Sequence, residues 1–214
     1  METGDVICRL AEAYGNPPPR PPRPPASELV YTMLSQNTSD VNSKRAFDQL
    51  MKTFGSLEEL AAASEEKIAQ AIRLGGLAKV KAPRIKAALD RILRERGSLD
   101  ISFLGEMPIL EAKAWLRRLP GVGPKTAACV LLFSLGRPVL PVDTHVHRVG
   151  RRLGLISQKT SAERAHEVLE AMLLPNEIYS FHVNMVRHGR EVCHAQRPLC
   201  HVCILRSGCI SARQ

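Results

Sequence analysis

The chain is 214 residues long and 44% hydrophobic, enough to bury a core in one domain or two small ones. Lys and Arg outnumber Asp and Glu by 30 to 21, a formal net charge of +9 that favours a polyanionic partner, nucleic acid before a membrane surface. No stretch approaches the roughly 18 apolar residues of a membrane span, and the opening METGDVICRLAEAYG is acidic where a signal peptide is basic, so the expected location is the cytoplasm.

Helical periodicity dominates and clear strand patterns are missing, which predicts an all-α fold. Helices are expected near 4–14, 27–36, 40–53, 56–62, 64–73, 79–95, 108–118, 124–135, 144–153, 161–173 and 177–189. Between the first two lies NPPPRPPRPP, whose prolines lack backbone donors and favour an extended polyproline II spacer; Arg20 and Arg23 within it are candidates for touching a phosphate backbone. Further along, Ser56 with Glu59 makes a capping box, Ser64 and Ser161 are helix caps, and Pro108 suits a first helical position. Gly55, Gly75, Gly76, Gly97 and Gly136 follow apolar-periodic segments as stops. The spacing of Ile85, Ala88, Leu89 and Ile92 gives one amphipathic helix, and that of Ala165, Val168, Leu169 and Met172 another.

Residues 119–131, LPGVGPKTAACVL, read as a helix-hairpin-helix turn. Gly121 and Gly123 permit positive φ and close backbone approach, and the N–H groups of the next helix face outward with the positive end of its dipole. Such a turn suits one DNA phosphate without reading a base, or is simply a helix connection. Lys125 sits in the first turn of that helix, against the dipole, where a positive charge is disfavoured; a neutral amine there is a nucleophile, and the alternative is a solvated surface lysine. Eighteen residues on, in LPVDTHVHRVGRRLG, Asp143 or Thr144 is a helix N-cap, and a carboxylate near a lysine amine also serves imine chemistry at a sugar carbon.

In CHAQRPLCHVCILRSGC, residues Cys193, Cys200, Cys203 and Cys209 are spaced C-x6-C-x2-C-x5-C. Four thiolates suit a [4Fe–4S] cluster or, as the alternative, a tetrahedral zinc ion, although zinc sites usually use two short knuckles and this chain has one C-x2-C. Cys8 and Cys129 lie on apolar helical faces and are expected to be buried free thiols.

The combination of LPGVGPKTA, VDTHVHRV, HGREVC and this cysteine spacing, in that order, resembles the endonuclease III group of the helix-hairpin-helix DNA glycosylase superfamily, from about Ser27 to Cys209. The resemblance implies an all-α, two-lobed fold around a DNA-binding cleft. A six-helix barrel domain with the helix-hairpin-helix would occupy 27–136, and a discontinuous [4Fe–4S] cluster domain 1–26 and 137–214. It implies a monomeric bifunctional DNA glycosylase with AP lyase activity, removing oxidised or ring-saturated pyrimidines from double-stranded DNA in base excision repair, nucleoid-associated and away from membranes. Lys125 then attacks C1′ of the damaged nucleotide and Asp143 activates it. The hairpin residues Gly121, Val122 and Gly123 hold the DNA backbone. Gln36 or Asn37, in LSQNTSDV, fills the gap left by the flipped nucleotide, Leu77 wedges the opposite strand, and the cluster loop lets Arg197 meet phosphate. His182, His188 and Arg190 are expected to be structural. Three departures bear on substrate choice and phosphate contact: Ala78 replaces a common aromatic residue, Pro124 a basic one, and the proline tract lengthens the first connection. A monofunctional mismatch or adenine glycosylase is the nearest rival, and a non-catalytic binder of lesion DNA the rival from another class.

Overall fold

The computed structural model describes residues 1–213. The regular structure consists of eleven α-helices with short 3-10 turns, and no strand occurs among the described residues, as the periodicity predicts. The chain divides into two compact units, one spanning Pro21–Arg137 and the other joining Met1–Arg20 to the segment that begins at Pro138.

The first of these units contains α2 (Pro25–Ser35), α3 (Asp40–Phe54), α4 (Leu57–Ala62), α5 (Glu65–Ala71), α6 (Ala78–Arg96), α7 (Ile109–Arg117) and α8 (Pro124–Phe133). Helix α8 is buried at every residue from Thr126 to Leu132, the mark of a helix enclosed by its neighbours. Helix α2 packs along it with Leu29, Val30, Met33 and Leu34. Each large apolar side chain so buried contributes about 1.5–3 kcal/mol, and truncating one, as in Leu131→Ala, costs about 2–5 kcal/mol.

Local chemistry sets the helix starts. The hydroxyls of Ser39, Ser56 and Ser64 accept the N–H groups of Asn42, Glu59 and Lys67 at the starts of α3, α4 and α5. The capping box at Ser56 is only half made, because the Ser56 N–H donates to the Phe54 carbonyl at 2.9 Å. Pro108 precedes its helix as the N-cap, one position earlier than expected, whereas Pro124 takes the first turn of α8.

The proline tract does not leave Arg23 for a phosphate. Its guanidinium lies over the Tyr31 ring, 4.0 Å from the centroid, and 3.2 Å from the carboxylate of Glu28, which is 1% exposed. Its carbonyl accepts the Ser134 hydroxyl, so the end of the tract is pinned to the core. A buried carboxylate demands a cation, and Arg23 supplies it.

The second unit contains α1 (Thr3–Tyr14), α9 (Thr144–Leu153), α10 (Ala162–Glu170) and α11 (Ile178–Glu191), followed by 3-10 turns. Helices α1 and α9 both pack on α11. Val6 and Leu10 form the buried stripe of α1; Cys8, two residues from each, points away and is exposed, against the expectation of a buried thiol. Cys129 is buried as expected. No helix among the described residues is long and apolar enough to cross a membrane.

Candidate functional site

The hairpin after α7 is closed by the Val122 N–H, which donates to the Leu119 carbonyl at 3.1 Å. Its two glycines serve different ends. Gly121 has φ 77°, and a Cβ there would stand 3.0 Å from Arg84 Cδ and 3.1 Å from Met33 Cε, so the fold itself requires glycine. Gly123 has φ −93°, so the expectation of positive φ fails at this position, and a Cβ there would meet open space. Nothing inside the protein demands glycine at 123. The Val122 side chain is buried and its N–H is engaged in closing the turn. Lys125, half-buried, follows in the first turn of α8.

Beside the hairpin, Gln36 Nε2 donates to the Gly121 carbonyl and to Thr126 Oγ1, both at 3.1 Å. Asn37, the next residue, is exposed with φ 51°. The non-glycine residues with positive φ, among the described residues, are Asn37, Leu77 (φ 53°) and Arg197 (φ 51°). All three are candidate DNA contacts, and such backbone strain gathers at functional sites. Leu77 stands 53% exposed immediately before α6. Arg197 is exposed and precedes Pro198, where the left-handed conformation is crowded further.

In the other unit, Asp143 is the N-cap of α9. Its Oδ1 accepts from the His145 N–H at 2.9 Å and the Val146 N–H at 2.8 Å, so the cap occupies a single oxygen of this half-buried carboxylate. Cap and proton acceptor are therefore compatible roles for it.

Cys193, Cys200, Cys203 and Cys209 line one cavity of about 190 Å³, walled also by Val149, Leu153 and His188. Among the described residues no three His, Cys, Asp or Glu side chains are set to share one metal ion. Burial, with the three neighbouring sulfurs adding to it, holds the Cys203 thiol above its usual range, so ionising all four requires positive charge among them. Arg152 Nη1 lies 3.3 Å from Cys193 Sγ and 2.6 Å from the His194 carbonyl, and Nη2 reaches the Ala195 carbonyl at 2.9 Å. Arg148 donates to the Cys193 and Gly189 carbonyls at 3.0 and 2.7 Å. His188 is 1% exposed, and burial, opposed by Glu191, brings its pKa down to about 4, so its ring is neutral at pH 7. Its Nδ1 pairs with Tyr14 Oη at 2.9 Å and its Nε2 lies 3.5 Å from Cys203 Sγ. His182 pairs with the Pro141 carbonyl at 2.8 Å inside the core, while Arg190 is exposed.

Sequence reasoning passed over Arg148, Arg152, Tyr14 and Lys81. Lys81 alone left a trace: it falls on the same face of α6 as Ile85, Ala88, Leu89 and Ile92, a charge on a core stripe.

Residues 30–173 match the HhH-GPD superfamily of base excision DNA repair proteins. The sequence is 38% identical to an endonuclease III of Thermotoga maritima over 186 residues, covering 86% of this chain and 82% of that protein. It is 30% identical to an endonuclease III of Sulfolobus acidocaldarius, covering 85% of this chain and 79% of the relative. Among solved structures, a trapped endonuclease III–DNA covalent intermediate matches all of this chain and 98% of its own, with a TM-score of 0.85 and 28% identity.

Proposed function

The chain belongs to the endonuclease III group of the HhH-GPD superfamily, and from that membership we infer that it is a bifunctional DNA glycosylase and AP lyase of base excision repair. The observation that carries the chemistry is Lys125, placed directly behind the hairpin in the first turn of α8. Its neutral amine attacks C1′ of the damaged nucleotide; the N-glycosidic bond breaks and the base departs with its electron pair, taking up a proton. Asp143, with Oδ1 engaged in capping, accepts the proton that the amine sheds. The C1′–O4′ bond then breaks, the ring oxygen leaving with its electron pair and taking up a proton, and C1′ becomes an imine carbon. The imine acidifies the C2′ hydrogens, and loss of one expels the 3′ phosphate by β-elimination, cutting the strand. Hydrolysis of the remaining imine frees the lysine.

The target sugar is unreachable inside the stack, so the nucleotide must be flipped and the gap filled. We assign the filler to Asn37 and the opposite-strand wedge to Leu77. What supports the choice of Asn37 over Gln36 is that Gln36 is tied to the hairpin and α8, whereas Asn37 is exposed on a strained turn. The open space over Gly123 suits a backbone phosphate approaching the N–H groups at the start of α8. The substrate is double-stranded DNA with an abasic site or an oxidised or ring-saturated pyrimidine, bound by the monomer in the cytoplasm at the nucleoid. The barrel role falls to the unit Pro21–Arg137 and the cluster role to the unit with Cys193.

Four thiols around one cavity fit the donor set of a [4Fe–4S] cluster, and the single C-x2-C favours it over a zinc ion, whose sites usually use two short knuckles. Bound there, the cluster supplies positive iron that keeps all four sulfurs ionised and cross-links residues 193–209. Arg148 and Arg152 then hold the same loop through its carbonyls, presenting Arg197 to phosphate.

The test is borohydride trapping on duplex DNA holding one thymine glycol or one abasic site. A covalent complex that disappears in Lys125→Ala, with lesion binding retained, is expected, together with a much slower reaction in Asp143→Asn. A protein that binds the lesion with its cluster intact yet forms no complex would instead be a monofunctional glycosylase or a lesion-binding module.

A further inference from the structure

Lys81 is 4% exposed on the core stripe of α6. Its ammonium donates to the Leu34 carbonyl and to Thr38 Oγ1, both at 2.5 Å, and to the Gly75 carbonyl at 3.3 Å. All three acceptors are neutral. Burial pushes its pKa below the ordinary lysine value, and hydrogen bonds alone offset the loss of water. An apolar side chain on that stripe would carry no such cost, so the charge needs a reason beyond packing.

The acceptors identify one. Leu34 and Thr38 bracket the turn that lifts Asn37 into the left-handed region, and Gly75 precedes the Leu77 tip. Thr38 Oγ1 also lies 2.8 Å from the Gly75 carbonyl and 3.1 Å from that of Gln36, completing a knot between the two loops. Gly75 is seated hard against α3, where a Cβ would stand 2.8 Å from Ala46 Cβ, which prevents the second loop from yielding. Strained tips persist only where their surroundings over-determine them. Here a single ammonium fixes both.

We propose that Lys81 is a positioning residue for base extrusion, locking the Asn37 turn and the Leu77 tip into one rigid element so that filler and wedge enter the duplex at a fixed separation. The inference rests on the assignment of those two residues above. A tip displaced by about 1 Å loses on the order of a hundredfold in rate where a reaction depends on placement. A single-stranded abasic site has no opposite strand to wedge and no stack to refill. The signature is therefore a change in the ratio of duplex to single-stranded rates, which general destabilisation does not produce.

The experiment compares wild type, Lys81→Met and Thr38→Val in single-turnover strand cutting of a thymine-glycol duplex and a single-stranded abasic oligonucleotide, with unfolding midpoints measured alongside. Thr38→Val removes the bridging hydroxyl and keeps the lysine, so it decides the matter alone if Lys81→Met does not fold. The expected result is a duplex-to-single-strand ratio reduced about tenfold to a hundredfold in Lys81→Met and reduced less, in the same direction, in Thr38→Val. An unchanged ratio in the folded variants, including equal losses on both substrates, overturns the proposal. Wild-type protein that cuts neither substrate overturns the functional reading first, and the inference with it.

Discussion

Gln36 Nε2 stands 3.1 Å from Thr126 Oγ1, tying the turn after α2 to the first turn of α8 immediately beside Lys125. The next residue, Asn37, has no such role in the packing: it is exposed and left-handed. Gln36→Ala removes two hydrogen bonds at a half-buried position and should cost about 1–2 kcal/mol. Asn37→Gly keeps the backbone conformation, so stability should hold while turnover of the lesion duplex falls about tenfold or more, in line with loss of the gap filler. Thermal unfolding and single-turnover cutting, run on both variants, separate the two residues; equal behaviour of the pair would remove Asn37 from the assignment.

Leu77 presents the opposite balance. A leucine at φ 53° costs about 1–2 kcal/mol relative to a residue that tolerates the left-handed region, and 53% exposure means that little burial is returned. Leu77→Asn should therefore raise stability by about 1 kcal/mol, a midpoint shift of a few degrees, while slowing duplex cutting. A variant that is both less stable and equally active would show Leu77 to be a packing residue.

The hairpin glycines allow a third separation. Gly121→Ala must place a Cβ at φ 77° against Arg84 and Met33, so a loss of about 2 kcal/mol or more is expected in denaturant titration. Gly123→Ala adds its methyl to open space at φ −93°, and folding stability should stay within about 0.5 kcal/mol. DNA affinity should nonetheless fall, because the methyl occupies the space assigned to phosphate. Fluorescence anisotropy with an abasic duplex, using Lys125→Ala as background to prevent cutting, reads the affinity directly.

Much of the fold was written locally. Serine caps at 56, 64 and 161 and the i, i+3, i+4 apolar spacing lie within one or two turns of the residues they organise, so the helices were legible. The cysteine spacing and the lysine behind the hairpin were legible for the same reason. What escaped depends on partners remote in sequence. Arg23 reads as a free cation until the buried Glu28 and the Tyr31 ring are seen around it. Lys81 falls on the core stripe of α6 in sequence, but the carbonyls of Leu34 and Gly75 that accept from it come from other segments. Cys8 reads as buried on an apolar face, but a residue two positions from both Val6 and Leu10 lies on the far side of the helix. The positive φ values at Asn37, Leu77 and Arg197 have no sequence signature in leucine and arginine, which disfavour that region.

Tyr14 and Cys203 meet opposite ring nitrogens of His188: Nδ1 pairs with Tyr14 Oη at 2.9 Å, and Nε2 lies 3.5 Å from Cys203 Sγ. The imidazole thus links the Tyr14 hydroxyl to a sulfur assigned to the cluster, an outer contact of the kind that steadies a metal ligand. Tyr14→Phe removes only the hydroxyl: the ring stays edge-on to His188, with centroids 6.0 Å apart, and Arg187 remains stacked over it at 4.8 Å. The helix packing should survive, with a loss of about 1 kcal/mol. The imidazole, freed to turn or to move its proton, should support Cys203 less well. The expected outcome is faster decay in air of the cluster's broad absorbance near roughly 400 nm, measured on holoprotein beside wild type at equal concentration. His188→Gln should decay faster still, and identical decay in all three proteins would show that the Tyr14–His188–Cys203 chain does not steady the ligand.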